Sequence, residues 1–312
     1  MPSALVIVNP ASANGATRAR WPAIEQQLRA HWSAVDFAVA HSGAPNHATE
    51  LAAAAVGFAT IVSVGGDGTL NEVVNGLMRH AAAVRPSLAL IQSGTGSDFA
   101  RTLGFGLETE AAIARLNRAQ PQAIDVGETA YMVGRQLLTR YFVNIAGVGF
   151  DAEVSAAVSR EAGRGRKGRA VYLLSVFKTV LRLRSKRLRI TTSLASGAPS
   201  SRECGAVMVT ICNGRYFGGG MHVAPDAVLH DGEFDVVVFG AMNPLEFMIN
   251  FPRVYRGTHL SHPKVSVTRA SSVRIEQLDS TDRLLSLQAE GELLGAAPAS
   301  FRLLPGALNV LV

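Results

Sequence analysis

The residues most able to do chemistry in this 312-residue chain are Gly65, Gly66, Asp67, Gly68, Thr69, Leu70, Asn71 and Glu72. A β-branched run from Thr60 to Val64 leads into them and reads as a buried strand. The glycines pass a tight turn without steric cost. From Leu70 onward, Leu70, Val73, Val74 and Leu77 fall at helical spacing. A strand, a glycine turn and a helix N-terminus aim free backbone N–H groups and a positive dipole end at one point, which suits a phosphate. Asp67 would repel that phosphate unless a cation lies between them, so the turn implies Mg²⁺ or a bound ribose hydroxyl. Two common phosphate motifs are excluded. The dinucleotide pattern G-x-G-x-x-G meets Asn71 where its third glycine should stand, and Walker A lacks its Gly-Lys-Ser/Thr ending.

The elements that must position this turn alternate between strand and helix. Ala4 to Val8 reads as the first strand and ends at Asn9-Pro10. Ile24, Leu28 and Trp32 mark a helix, Val35 to Val39 a strand, and His47 to Val56 a helix. Ser87 to Ile91 is a fourth strand, ending in Gly94-Thr95-Gly96, with Ser97 or Asp98 as the N-cap of the next helix. Such alternation predicts a parallel sheet with helices on its faces. Ligands then sit beyond the C-terminal strand ends, where Asn9, Gly65 to Asn71 and Gly94 to Asp98 converge.

After Pro121 the pattern changes to short β-rich runs: Tyr141 to Ile145, Leu188 to Ser193, Ala206 to Cys212, Phe234 to Phe239, Val265 to Arg269, Val273 to Leu278 and Leu284 to Ala289. One helical stretch, about Gly168 to Leu183, interrupts them, and Ala195 to Ser201 reads as an exposed hairpin loop. The expected fold is an α/β N-terminal domain on a parallel sheet, followed by a β-sandwich-like C-terminal domain.

Composition narrows the partners. At 48% apolar residues the chain can bury a sizeable core. The two cysteines, Cys204 and Cys212, match no metal or redox spacing. The N-terminus lacks the pattern of a signal peptide, and no apolar run reaches membrane-spanning length, so a cytoplasmic protein is expected. The net charge of +6 suggests an acidic partner. Eleven basic residues lie between Arg160 and Arg189 against Glu161 alone, around an apolar helix carrying Tyr172, Leu173, Val176, Phe177 and Val180. That combination suits an anionic membrane surface. Nucleic acid is disfavoured, because the segment lacks interleaved stacking aromatics.

Gly65 to Glu72 matches the signature G-G-D-G-T-x-N-E without a mismatch, and the chain resembles the bacterial diacylglycerol kinase and sphingosine kinase-like lipid kinases, the YegS type among them. The resemblance implies a phosphofructokinase/NAD kinase-like first domain (1–122, joined by the last strand, 306–312) and a lipid-substrate domain (123–305). It implies ATP and Mg²⁺ as cofactors and a lipid hydroxyl as acceptor, with the enzyme at the inner face of the membrane. Ser93 to Arg101 resembles a second signature, G-T-x-N-D-F-A, with Ser97 in place of Asn. Gly65, Gly66, Asp67, Gly68, Thr69, Leu70, Asn71 and Glu72, with Gly94, Thr95, Gly96, Ser97 and Asp98, would hold Mg-ATP. Asn9 matches a nucleotide-contacting Asn, and Ser42 falls where relatives carry a threonine near the adenine. Ala224 to Asp235 resembles a segment in which Asp231 and the carbonyls at Val228 and Glu233 can hold a structural Mg²⁺. Glu290-Gly291-Glu292 stands at the family's D-G-E, one acid of which is the general base; Glu290 is a methylene longer than the family's Asp. Asp67 joins these two acids as a catalytic candidate. The competing readings are a kinase of a soluble acceptor such as NAD, which shares the glycine turn, and a nucleotide sensor without turnover.

Overall fold

In the computed structural model the described residues are 3–94, 96–106, 108–163, 169–279 and 284–312, with the backbone alone for 159, 162–163 and 169–173. The first half alternates as the sequence predicts: β1 (Ala4–Val8), α1 (Ala16–His31), β2 (Phe37–His41), α2 (His47–Ala53), β3 (Thr60–Gly65), α3 (Asp67–Leu77), β4 (Ser87–Gln92), α4 (Asp98–Thr102) and α5 (Thr109–Leu116). Strands β1, β2, β3 and β4 pair in parallel, in the order β2-β1-β3-β4. Each is apolar on both faces, as a parallel sheet covered by helices requires. Ile7, Ile61, Leu88 and Leu77 pack on one side of it, and Val6, Val62, Ile91 and Leu28 on the other. The second strand begins two residues later than the sequence suggests, and the helix expected to Val56 ends at Ala53.

The second half begins with β5 (Pro121–Val133), β6 (Gln136–Phe142) and β7 (Ile145–Gly149). Helices α6 (Phe150–Gly163) and α7 (Arg169–Val180) follow, and then β8 (Lys186–Ser193), β9 (Ser200–Cys212), the short pair β10 (Tyr216–Phe217) and β11 (Met221–His222), and β12 (Phe234–Gly240). The chain closes with α8 (Pro244–Asn250), β13 (Val265–Ala270), β14 (Ser272–Gln277), β15 (Ser286–Ala289) and β16 (Glu292–Leu311). The strands β9, β7, β15, β16, β14 and β8 pair in a closed ring. The expected β-sandwich-like half thus closes its strands into a barrel-like ring. A core of Phe142, Phe234, Phe301 and Leu287 fills it.

Two local readings are corrected. The run Tyr141 to Ile145 is not one strand: it breaks at Val143-Asn144, between β6 and β7. The second half also holds α6 and α8, which its β-rich pattern masked. Phe150 and Val154 recur at helical spacing behind Asp151 and Glu153 in the first turn, the signal that marks α6.

Strand β16 runs through both halves. Its Ala299–Arg302 segment pairs with β14, and its end pairs with β5 and, at Val310, with Leu88 of β4. Leu308, 1% exposed, packs into the same cluster as Ile7 and Leu88. Leu308→Ala should therefore cost about 2–5 kcal/mol, the usual range for a fully buried leucine. Urea unfolding checks this, and a loss under about 1 kcal/mol would contradict the placement of the strand.

Candidate active site

Four strand ends line up at one edge of the parallel sheet, and the loops that follow them touch. Asn9, after β1, donates its side-chain amide to Thr69 Oγ1 at 2.9 Å. Ser42, after β2, is buried and donates its backbone N–H to the Val8 carbonyl. A hydroxyl chain runs from Ser12 through Thr17 to Ser93, each step 2.6 Å. A methyl group on Gly94 would lie 2.5 Å from the Gly66 Cα, so the β3 and β4 loops meet this closely only with glycine at 94. A methyl group on Gly96 would lie 2.5 Å from Asp67 Oδ2, which places that carboxylate against the second loop.

Three carboxylates converge here from three parts of the chain. Asp67 opens α3, and burial beside Asp98 lifts its pKa to about 6. Its Oδ1 is buried with no hydrogen-bond partner among the described residues. Asp98, at the start of α4, accepts the backbone N–H groups of Gly219 and Gly220 at 2.8 and 2.7 Å. Burial pushes its pKa up and these two donors pull it back. Gly218, Gly219 and Gly220 have φ values of 62°, 85° and 103°, a left-handed run that only glycine adopts without strain. Glu290, in the turn between β15 and β16, presents Oε1 to the Val143 and Asn144 N–H groups at 2.8 and 2.7 Å. Those are the donors freed by the break between β6 and β7. Burial, reinforced by Asp67 and Asp98, pushes the Glu290 pKa up to about 8.

The Glu290 turn is itself held from behind. Gln288, fully buried, donates to Asp151 Oδ2 at 2.7 Å and accepts the Gly291 N–H at 2.8 Å. Asp151, buried at the start of α6, is raised to about 6 by burial. Asn144 also anchors the other carboxylate's helix: its Oδ1 accepts from Thr102 of α4 at 3.0 Å. Asp151, Gln288 and Asn144 escaped the sequence reading. Gly218-Gly219-Gly220 stood out in it only as the run ahead of the Ala224 to Asp235 segment, without the role of binding Asp98.

The remaining expected site residues take other places. Glu292 is ion-paired to Arg140 at 2.7 Å, and its Oε1 faces Gly68. Leu70 is in the core, Asn71 donates to the Tyr141 carbonyl, and Glu72 accepts the Ala48 N–H at the start of α2. These three frame the turn from behind. Thr95 lies outside the described residues, as do Arg164, Arg166 and Lys167 and the side chains of Arg169, Tyr172 and Leu173. Asp231 is bound on one oxygen by the Arg269 guanidinium and accepts the Glu233 N–H on the other, while Arg269 also pairs with Glu233 at 2.8 Å. An arginine thus supplies the positive charge at that turn, which as built does not fit a structural Mg²⁺. Among the described residues no group of three or more acidic, His or Cys side chains closes on a metal.

Asp67, Asp98 and Glu290 all border one cavity of about 300 Å³. The rest of its wall is mostly apolar and comes from the C-terminal half, with Phe150, Val176, Met208, Phe239, Phe247 and Phe251 among its residues. Among the described residues, no helix is long and apolar enough to cross a membrane.

Known proteins share this architecture. Residues 3–129 match the diacylglycerol kinase catalytic domain, and residues 144–312 match the YegS C-terminal NAD kinase β-sandwich-like domain. A diacylglycerol kinase of Bacillus subtilis is 31% identical over 96% of this chain and 93% of its own length. A Pseudomonas putida protein described as a probable lipid kinase, YegS-like, is 33% identical over 83% of this chain and 78% of its own. The crystal structure of a candidate diacylglycerol kinase from Bacillus anthracis superposes with a TM-score of 0.77 at 26% identity, covering 99% of this chain and 95% of that one. The carboxylate cluster at the paired glycine loops thus sits in a chain that belongs to the diacylglycerol kinase/YegS family and is a lipid kinase.

Proposed function

We propose that the protein transfers the γ-phosphoryl group of Mg-ATP to the hydroxyl of a diacylglycerol-like lipid. One observation carries this reading: the apolar cavity is bordered by Asp67, Asp98 and Glu290. An acyl chain in that cavity would bring its polar end to the carboxylates, whereas a soluble acceptor such as NAD would leave the apolar wall unused. Residues 1–122 with 306–312 would hold the nucleotide, and residues 123–305 the lipid.

The roles follow from the chemistry of phosphoryl transfer, which is mainly positioning and charge neutralisation. The N-terminus of α3, with Gly65, Gly66 and Gly68, offers N–H groups and a positive dipole end to phosphate. Thr69 and Asn9 brace that turn, and Ser42, at the neighbouring strand end, would lie toward the base. Asp67 fits a metal, because its orphaned Oδ1 is the oxygen ligand a hard cation takes. Asp98 would act through water, since the Gly219 and Gly220 N–H groups already bind its oxygens. When bound, Mg²⁺ supplies positive charge between these carboxylates and the phosphates. Glu290 takes the proton of the acceptor hydroxyl, and its two backbone donors aim it. Glu292, held by Arg140 opposite Gly68, closes the turn from the lipid-binding half.

Asp67→Asn should abolish phosphoryl transfer and leave the protein folded. Its thermal stability at pH 8 should be equal to or above the parent's, because the variant removes a buried charge whose pKa is raised to about 6. Near-parental turnover in the folded variant would remove Asp67 from its role.

Glu290→Gln should lower kcat about 10²-fold or more with ATP affinity little changed. A base acts unprotonated, so parental kcat/KM should climb with pH along an acid limb set by the raised Glu290 pKa. The same carboxyl has a stability signature. Its folded pKa, about 8, lies above the ordinary 4.5, so its contribution is full below that value and is lost as pH rises through 8. In metal-free buffer, the melting temperature of Glu290→Gln relative to the parent should therefore rise between these pH values. A difference that stays flat with pH would contradict the perturbed carboxyl.

A further inference from the structure

Helices α7 and α8 touch and form one layer of the cavity wall. Their inner faces contribute Val176 and Phe247 to it, and Phe251 and Val254 continue the same wall. The outer faces are also apolar. Leu174, Phe177 and Leu181 recur at i, i+3 and i+7 and are 52%, 49% and 58% exposed. Leu245 and Ile249 on α8 are 66% and 67% exposed, with Met248 between them and Tyr255 just beyond. A helix apolar on both sides has two apolar partners, and the cavity accounts for only one of them. Clustered exposed residues of this size mark an interaction surface.

Charge selects the second partner. Residues 174–185 and 244–264 contain Lys178, Arg182, Arg184, Arg253, Arg256 and Lys264 against one acid, Glu246. Glu246 is itself bound by Lys264 at 2.7 Å. Apolar side chains set among cations, with the sole acid neutralised, complement an anionic bilayer through insertion and attraction together. We infer that the outer face of the α7–α8 layer docks on an anionic lipid bilayer and inserts Leu174, Phe177, Leu181, Leu245 and Ile249 into it. The inference rests on the reading of the cavity as the lipid site, because it places the bilayer one helix away from that cavity. None of the five inserted residues lines the cavity, so docking and catalysis are separable.

The test uses the full chain, the triple variant Leu181→Ser, Leu245→Ser, Ile249→Ser, and vesicles of phosphatidylglycerol and phosphatidylcholine in equal parts. The parent should co-sediment with the vesicles, and less so as salt rises. The triple variant should bind roughly ten-fold more weakly or worse, since each side chain loses apolar transfer. It should phosphorylate short-chain monomeric diacylglycerol as fast as the parent. A second measurement does not depend on that variant: an environment-sensitive dye on Leu245→Cys should shift to the blue with vesicles, and one on Val56→Cys, exposed in the other half of the chain, should not. The inference is overturned if the parent does not bind vesicles, if the folded triple variant binds like the parent, or if the dye at position 245 stays water-exposed. It is also overturned if the parent is a dimer that the triple variant dissociates, because a second copy then covers the face. A parent that docks through this face yet phosphorylates no lipid upholds the docking surface and breaks the reading of the cavity.

Discussion

Like charge held out of water is the constraint on which this architecture depends. Burial raises the pKa of Asp67, Asp98 and Glu290; the Asp98 charge adds to the rise at Asp67, and the Asp67 and Asp98 charges add to it at Glu290, while Arg101 pulls Asp98 the other way. A carboxylate so buried favours its neutral form unless hydrogen bonds or a cation favour the charge. The chain answers with backbone N–H groups, which cost no side-chain entropy and carry no net charge. Two come from the Gly219-Gly220 loop for Asp98 and two from the broken strand at Val143-Asn144 for Glu290. Of these three, Asp67 keeps a buried oxygen, Oδ1, unmatched among the described residues. The cluster is therefore preorganised for positive charge brought from outside.

Keeping Glu290 in place has a conformational cost. Its φ of 52° is left-handed, and a non-glycine residue holds such a conformation only where its surroundings over-determine it. Four contacts do so: the two donors to its carboxylate, its own N–H to the Ile145 carbonyl, and the Gln288 carbonyl that accepts the Gly291 N–H. Asp151 sets the orientation of the Gln288 amide. A carboxylate only accepts, so the NH₂ group must face it and the carbonyl must face Gly291. The buried acid at the start of α6 thus reaches the Glu290 turn through one side chain. The residues that hold the turn come from β7, β15 and α6, so shifts in the β-rich half are felt at Glu290.

The two halves divide the physical labour. In the proposed reading, phosphate needs backbone dipoles at the open edge of a parallel sheet, and β1 to β4 would provide that edge. The lipid needs apolar wall, which the ring of β strands and the helices leaning on it would provide. Strand β16 joins the two by hydrogen bonding across both, and the turn before it and its first residue bring Glu290 and Glu292 toward the glycine loop. Arg140, paired with Glu292, keeps one of these acids compensated and oriented while the other stays in the carboxylate cluster.

How much of this was legible in the sequence depended on how local each signal is. The glycine turn, its flanking strand and helix, and the first-half alternation are written within a few residues of one another, and their reading needed only periodicity and turn chemistry. The second half misled because α6 lies among β-rich runs, and because Tyr141 to Ile145 carries strand-forming residues straight through the break at Val143-Asn144. That break has no local cause. Its N–H groups leave the strand ladder and donate instead to Glu290, about 145 residues further on. The turn at Asp231 shows the same limit from the other side: its sequence resembles a cation-binding segment, but Arg269, thirty-eight residues away, supplies the charge. Gln288 and Asp151 match no motif, because a positioning side chain is defined by what it touches and not by its spacing. Motifs thus exposed the groups proposed to meet the phosphates, while the groups that position them became visible only once the strands closed into a ring.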